Sequence, residues 1–546
     1  MREIRSPLDG ILSPFAARFV DAYAVQGLSP LLVADFTTPY YRKAGAVSTF
    51  DSTFTHSRLG NATMVDSDGL IKWAPHNLAL NSAAPATQSI TVVSGADYTV
   101  EITGSGSVAL TGAGTGTVTA GNPVEITAST TTLTLTITGT PSTMWAYRSD
   151  LGGMVNNPDT GTSYVPTTSA AVYQARRNHY TYNGSAWVNS GLLLETEART
   201  NLITQSEDFT TSWISNRATP VADETGPDGL SNSAHTLTDT NTGGTNNSSV
   251  RLSSTVATNS AYTFSIFAKA DALSWIKLAA QGFTTPADGG AWFNLSTGAK
   301  GTEETGFTAN INDAGDGWHR CSITFTTDAS DTSGLLYVYI SGSDNSITVD
   351  QDGTSSILIY GAQLEAGSTP SSYMPNYGLA AGTTRPTESL QIAAADMPYS
   401  ATAMSFQMQG KMTYVDDGDN ATATMIRWQT GGQYVQMRLR TDSTRTGAAY
   451  AIMNNGIATI GQDTNGAVAD LSPGVLVPLN TASRFGSTFL NVAMDGVSAT
   501  ALTTPTALPD LSAADLSLGY DYMGTIGQFR AWNVDIGDAG IAEASS

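Results

Sequence analysis

The sequence predicts an all-β protein: serial β-sandwich (jelly-roll) domains behind a short N-terminal anchor arm. Apolar residues recur at every second position in many short runs; in YTFSIFAKA, Tyr262, Phe264 and Ile266 alternate with Thr263 and Ser265. Turn signals such as DAGDG and SGSDN separate these runs about every 8 to 15 residues. Composition agrees. With 53 glycines, 40% hydrophobic and 13% charged residues, the chain has material for real cores and many turns. At 546 residues it predicts about three or four domains rather than one core.

Taken in order, residues 1–35 read as the arm. SPLDGI and SPF give two Ser-Pro turns, and ARFVDAYAVQGL predicts one short helix ending at Gly27. No apolar h-region is present and Pro7 and Pro14 interrupt the start, so no signal peptide is expected. No apolar run approaches the ~18 residues of a membrane span, so no membrane insertion is expected. Residues 36–80 and 148–195 read as a β-rich connecting domain, with VDSDG as a tight turn. Residues 81–147 read as a small Thr/Gly-rich β-sandwich inserted between them. Tyr98, Val100 and Ile102 share one strand face there, as do Leu133, Leu135 and Ile137. Residues 196–378 read as a jelly roll, from YTFSIFAKA through WHRCSITFTT and LLYVYIS to SILIYGAQLE. Cys321 alternates with Ile323 and Phe325, which predicts burial. Residues 379–546 read as a second large sandwich. Met404, Phe406, Met408, Met412 and Tyr414 alternate there with polar residues, and DAGIAEA makes one or two helical turns at the end.

The chain contains an echo of itself. NLALNS at residue 77 and NLITQS at residue 201 share N-L-x-x-x-S, and each leads into a strand opened by Tyr-Thr. One kind of sandwich is therefore expected twice, small and then large.

Charge and cysteine narrow the functional classes. The net charge is −22, with a pI near 4.4. Such a surface repels nucleic-acid phosphates, so no nucleic-acid partner is expected. A single cysteine permits neither an internal disulfide nor a Cys-based metal site.

The stretches FTHSRLGNATMVDSDGLIKWAPHNL and GLLLETEARTNLITQSEDFTTSW resemble a recurrent pattern in virion proteins of tailed bacteriophages, chiefly tail fibres and minor tail proteins. There a Ser-Arg turn, a VDSDG-like hairpin and a GLLxExxRTNL segment lead into a sandwich that resembles carbohydrate-binding modules. Here that signature comprises Asn201-Leu202, Ser206, Phe209, Trp213, YTFSIFAK, Gly317-Trp318-His319-Arg320 and IYGAQLEAGSTPSSYMP. The closing IGQFRAWNVDIGDAGIAEA is similar to the end of concanavalin-A-like lectin and laminin-G sandwiches. RSPLDGILSPF resembles the N-terminus of some phage fibre and tail proteins. One departure stands out: about a hundred residues separate VDSDG from GLLxE, and they hold the Thr-rich insert.

The resemblance implies a virion component, assembled in the host cytoplasm, on the head or the tail. Its arm would dock on other virion proteins, the chain would form a homo-oligomer (a trimer as first choice), and the outer sandwiches would contact host-surface glycans. Aromatic faces and amide or carboxylate side chains suit sugar rings. On that ground Trp275, Trp292 and Tyr339 in the middle module, and Trp428 and Tyr434 beside the QTGG turn, are the glycan-binding candidates. Jelly-roll carbohydrate modules often hold a structural ion between first and last strands. Glu207, Asp208, Gln363 and Glu365 are therefore the calcium candidates, with the DDGDN run (Asp416, Asp417, Asp419) as a second acidic loop.

Two rival readings are a polysaccharide depolymerase and a scaffold that binds nothing. Hydrolysis needs two carboxylates about 5–10 Å apart, which sequence cannot pair. Depolymerase spikes usually carry a long parallel β-helix with a coil-length repeat, and none is found. H-E-x-x-H, G-x-S-x-G and P-loop motifs are absent, and His56, His76, His179, His235 and His319 are scattered. No enzymatic activity is expected.

Overall fold

The structure, a computed structural model, describes residues 21–416, 421–443, 445–464 and 466–546. It is nearly all β, built from antiparallel sheets. Among the described residues no helix is long and apolar enough to cross a membrane. The helix at the C-terminal end, Gly537–Ala544, matches the expected turns.

The middle sandwich packs two sheets. One has seven strands, in the order Ile214–Asn216, Thr245–Thr255, Ser333–Ser341, Trp275–Gln281, Gly289–Asn294 and Ala299–Glu303, with Thr348–Asp350 also on Thr245–Thr255. The other has six, in the order Ala218–Glu224, Ala234–Asp239, Ser356–Ala366, Ala261–Ala270, Trp318–Thr326 and Thr308–Asp313. The expected alternation fills the space between them: Phe264, Ile266, Ile276, Leu278, Ile323 and Val338 are fully buried. Cys321 lies in the same core, where burial pushes its thiol up.

The last sandwich is assembled from distant parts of the chain, which corrects the expected boundaries. Leu32–Asp35, placed in the arm, is an inner strand of a nine-stranded sheet, between Tyr40–Lys43 and Met523–Trp532. Leu192–Glu195 extends the same edge of Met523–Trp532, and Thr55–Ser57 closes the facing seven-stranded sheet beside Ser389–Ile392. Antiparallel pairing between segments hundreds of residues apart leaves no trace in local periodicity. The helix expected in ARFVDAYAVQGL is corrected over its described part. Residues 21–28 form turns closed by a Val25–Leu28 bridge; residues 1–20, with SPLDGI and SPF, lie outside the described residues. Met404, Phe406, Met408, Met412 and Tyr414 face the core as expected, against Met425, Trp428, Val435 and Met437. The other face of the nine-stranded sheet is covered too, by Val25 and the C-terminal helix packed on Trp532.

The insert is one five-stranded sheet folded over on itself, not two sheets. Its spine is the hairpin Asp97–Gly112 and Thr132–Arg148. The long strands bend where Gly104, Gly106 and Gly139 adopt positive φ, beside a bulge at Pro141/Thr143. Tyr98, Val100 and Ile102 then share a core with Val108, Leu110, Leu133 and Leu135, while Ile137 is half-buried.

The internal echo has a structural counterpart. Asn77 Oδ1 accepts from Ala79 N (2.9 Å) and Ala146 N (3.0 Å); Asn201 Oδ1 accepts from Ile203 N (3.0 Å) and Leu364 N (3.1 Å). Their amides donate to Val165 O (2.8 Å) and Met374 O (2.8 Å), inside Tyr164-Val165-Pro166 and Tyr373-Met374-Pro375. Tyr98 and Tyr262 each accept, at the hydroxyl, from the backbone N–H five residues earlier. Residues 77–167 and 201–376 thus share the same asparagine and tyrosine ties, although the first closes a single folded sheet and the second a two-sheet sandwich. The buried asparagine ties the first segment to the last strand in each, satisfying backbone groups that would otherwise be orphaned.

A buried ionic joint connects the modules. Glu195 Oε2 lies 2.8 Å from Arg176 and 3.0 Å from Arg385, and accepts from Ser372 Oγ (2.6 Å). Glu388 pairs with Arg58 and Arg176 and accepts from Glu195 N (3.0 Å). The arginines spend their remaining donors on carbonyls: Arg58 on Gln174 O (2.9 Å), Arg176 on Thr63 O (3.1 Å) and Arg385 on Glu197 O (2.7 Å). Arg58 and Glu195 belong to the FTHSR and GLLxE segments quoted above. Trp187 locks the adjoining hairpins. A Cβ on Gly69 of the VDSDG turn, or on Gly315 of the DAGDG turn, would come within 2.0 Å or 2.4 Å of its indole.

Burial alone would raise the Glu195 carboxyl, but Arg385, Arg176 and Ser372 outweigh it and hold the group at about 2. Its ionised form therefore stabilises the fold above the ordinary 4.5, and that stability is lost as pH falls from there to about 2. Glu195→Gln should cost about 3–5 kcal/mol at neutral pH, because two guanidiniums are left under-compensated in a dry site. Denaturant titration measures the loss, and the variant should show a flatter acid-unfolding profile between those pH values.

Candidate functional site

In each sandwich one sheet is covered on its outer face by a hydrophobic cluster from other parts of the chain, and the outer face of the second sheet carries the half-buried aromatic and polar residues. In the middle sandwich that sheet is the seven-stranded one, and much of its outer face is closed over: Ser249, Lys277, Ala279, Trp292, Tyr339 and Ser341 are buried. Ile276, Leu278, Val338 and Ile340 point to the core, so their odd-numbered neighbours point out. Register then sets two outward rows: Ser249, Tyr339, Lys277 and Trp292, and beside them Arg251, Tyr337, Ala279 and Gly290. Trp275 stands on the same face, between Ser341 and Asn294. The structure thus brings Trp275, Trp292 and Tyr339 together on one surface.

Their accessibility differs. Trp292 is only 3% exposed; Lys277 Nζ lies 3.9 Å from the ring centroid, and the indole N–H donates to Ser346 O (3.1 Å). Lys277 also pairs with Glu304 at 2.8 Å. Tyr339 is 5% exposed and stacks on Tyr337, with centroids 5.1 Å apart and planes 7° apart. Burial raises its hydroxyl to about 12. The half-buried members are Tyr337, Trp275, Arg251 and Gln281. Arg251 donates to Tyr337 Oη (3.2 Å) and Gln281 to Tyr339 Oη (3.4 Å). Trp292 and Tyr339 therefore support the surface, while Tyr337 and Trp275 present it. Tyr337 and Arg251 were not picked out from sequence, although LLYVYIS encodes two faces: Leu336, Val338 and Ile340 inward, the tyrosines outward.

In the last sandwich the two candidates separate. Trp428 is fully buried, edge-on to Tyr399 and Phe406, and donates to Ala514 O (2.7 Å). It is a core residue, which corrects its candidacy. The alternation of Ile426 and Trp428 against Arg427 and Gln429 carried that signal. Tyr434 is half-buried on the outer face, opposite Gln429 and Asn454. That face also carries Arg427 over the Tyr520 ring at 3.9 Å and Arg440 over Tyr450 at 4.2 Å.

The calcium candidates do not converge. Glu365 is buried and accepts from Gln363 Nε2 (2.6 Å), Ser371 N (2.9 Å) and Ser371 Oγ (2.6 Å), while Gln363 Oε1 accepts from Met374 N (2.8 Å). Asp208 caps the next turn through Thr210 N (2.8 Å) and Oγ1 (2.6 Å). Glu207 turns away, accepting from Tyr373 (3.1 Å) and Tyr360 (3.2 Å). These oxygens close the fold internally instead of framing an ion, and among the described residues no group of three His, Cys, Asp or Glu is placed to hold one. Asp417 and Asp419 lie outside the described residues.

No family model matches this chain, and no curated protein matches it. Among solved structures, it is similar to Ruminococcus gnavus IT-sialidase CBM40 bound to α2,6 sialyllactose, at 14% identity and a TM-score of 0.23, over 27% of this chain and 85% of that one. It is also similar to the leech intramolecular trans-sialidase complexed with 2,7-anhydro-Neu5Ac, at 15% identity and a TM-score of 0.22, over 27% of this chain and 23% of that one. Mouse laminin α1 chain domains LG4-5 match at 9% identity and a TM-score of 0.17, over 61% of this chain and 90% of theirs. The β-sandwich description rests on the sheets themselves.

Glu207 gives the region beneath the middle sandwich a pH dependence. Full burial, with the nearby charges of Asp228 and Asp150, pushes its carboxyl up to about 8. The folded state then keeps a proton that the unfolded chain releases near 4.5, so stability falls as pH rises from 4.5 toward 8. Glu207→Gln should match the wild type near the lower value and melt several degrees higher at the upper one, read by thermal unfolding across that range.

Proposed function

We propose that this chain is a structural component of a tailed-bacteriophage particle, a head or tail fibre or spike protein, and that its middle sandwich contacts host-surface glycans. The observation that carries the glycan reading is the half-buried cluster of Tyr337, Trp275, Arg251 and Gln281 on the outer side of the seven-stranded sheet, backed by buried Tyr339. Rings of this kind pack on the C–H faces of sugars, and the guanidinium and amide can hydrogen-bond the hydroxyls. The particle reading is supported by the FTHSR, VDSDG and GLLxExxRTNL segments, whose Arg58, Gly69 and Glu195 build the joint. The partners are then other virion proteins, reached through the N-terminal residues, and further copies of the chain. A homo-oligomer multiplies a weak single-site sugar contact by effective concentration.

Glycan-array binding with the full chain tests the surface. Tyr337→Ala and Trp275→Ala should each reduce binding about tenfold or more; an unchanged array profile in both variants would overturn it. Labelling the protein on purified particles tests the setting, and its absence from them would remove the virion assignment.

A further inference from the structure

A cavity of about 310 Å³ opens where the joint and both large sandwiches meet. Thr181 and Trp187 come to it from the joint, Arg320 from the middle sandwich, and Lys411 and Leu476 from the last. Its size is at the lower end of the range for small-molecule sites, with room for about one or two pyranose rings.

The charges in its wall run against the molecule as a whole. The chain carries 47 acidic residues and 25 basic ones. Yet Lys411 and Arg320 both line this cavity, and neither forms an ion pair among the described residues. Lys411 Nζ donates only to Thr181 Oγ1 (2.6 Å). Arg320 donates to Ser371 O and to Ser265 Oγ (3.1 Å), and its buried Nε has no partner. On the acidic side, Glu195 is neutralised by Arg176 and Arg385. Asp313 is exposed and accepts from Gly315 N (2.9 Å). His179 accepts from Val65 N (3.1 Å) and stays neutral, since burial holds its ring at about 3. The wall therefore offers two cations against one uncommitted carboxylate, beside the apolar surfaces of Trp187, Leu476 and Met523.

We propose that this cavity binds an acidic sugar, a pyranose bearing a carboxylate or sulfate. Lys411 and Arg320 take the anion, Trp187 and Leu476 pack against the ring, and Asp313 and Thr413 accept from its hydroxyls. A cation hydrogen-bonded only to neutral groups in a partly dry site recovers its lost solvation from an anionic ligand, and a neutral sugar supplies no such compensation. The site is independent of the sheet face around Tyr337, and either can exist without the other.

Calorimetric titration of the full-length protein with glucuronate, glucose 6-sulfate and glucose tests this. Both acids should bind saturably, and glucose about tenfold more weakly or worse. Raising salt from about 50 to about 300 mM should weaken only the acids. Lys411→Met should lower affinity for glucuronate about tenfold, Lys411→Arg should largely preserve it, and Tyr337→Ala should leave it unchanged. Hydrogen exchange on the wild type gives a reading that needs no variant: backbone amides at 180–187 and 475–476 should slow with glucuronate and not with glucose. Equal binding of glucose and glucuronate, no saturable binding of either acid, or full affinity in Lys411→Met would overturn the proposal.

Discussion

Five ionised side chains sealed from water at the centre of the molecule constrain everything around them. Glu195 and Glu388 are shared among Arg58, Arg176 and Arg385, and none of these side chains is more than 5% exposed. Taking such charges out of water costs several kcal/mol per ion, so the cluster adds little net stability over a well-packed apolar plug. Its effect is on geometry. A guanidinium fork meets carboxylate oxygens in a narrow range of orientations, and a slipped arrangement would leave a bare charge in a dry site. Arg58 comes from the strand edge of the last sandwich, Arg176 from the connecting segment, and Arg385 and Glu388 from the passage between the two large sandwiches. Only one mutual orientation of those parts satisfies all five. That orientation packs the six-stranded sheet of the middle sandwich on the connecting segments, through Ile71, Trp73 and Leu151, and sets Leu192–Glu195 beside Met523–Trp532 of the last.

Much of this organisation was legible in the sequence because it is local. Period-two alternation sets which residues enter a core, and Met404 to Tyr414 and Tyr98 to Ile102 obey it directly. The echo was legible for a stricter reason. An asparagine that must satisfy two backbone N–H groups and two carbonyls at once cannot be replaced by another residue type without orphaning some of them, so N-L-x-x-x-S marks both ties. The segments that build the ionic joint stood out as motifs, yet their chemistry did not. Glu195 meets Arg385, and Arg58 meets Glu388, across 190 and 330 residues of chain, and nothing local announces those partners.

The features that escaped the sequence share that non-local character. Leu32–Asp35 looks like part of a tail until its place beside Met523–Trp532 is known. Glu207, Asp208, Gln363 and Glu365 look like an ion's oxygen set until Tyr360, Tyr373, Thr210, Ser371 and Met374 are seen to occupy them. Trp428 is the exception, because its direction was set locally. The hairpin turn beside it drew attention to exposure, but residue parity outweighs proximity to a turn: every second residue of a strand faces inward however close the loop is.

The outer faces of the seven-stranded sheets in the two large sandwiches have a common construction that neither acidic composition nor fold class anticipates. On the middle sandwich Arg251 leans on Tyr337 with its guanidinium carbon 5.8 Å from the ring centroid; on the last, Arg427 lies 3.9 Å over Tyr520 and Arg440 4.2 Å over Tyr450. In a chain of net charge −22 an arginine on an outer sheet face has many distant carboxylates to drift toward. Stacking on a tyrosine fixes the plane of the guanidinium, and close neighbours take its in-plane donors: Arg427 donates to Gln429 Oε1 (2.7 Å), and Arg440 pairs with Asp463 (3.3 Å) and Asp442 (3.4 Å). The order of these faces comes from contacts within the sheets, ring against guanidinium, and needs nothing from outside the chain.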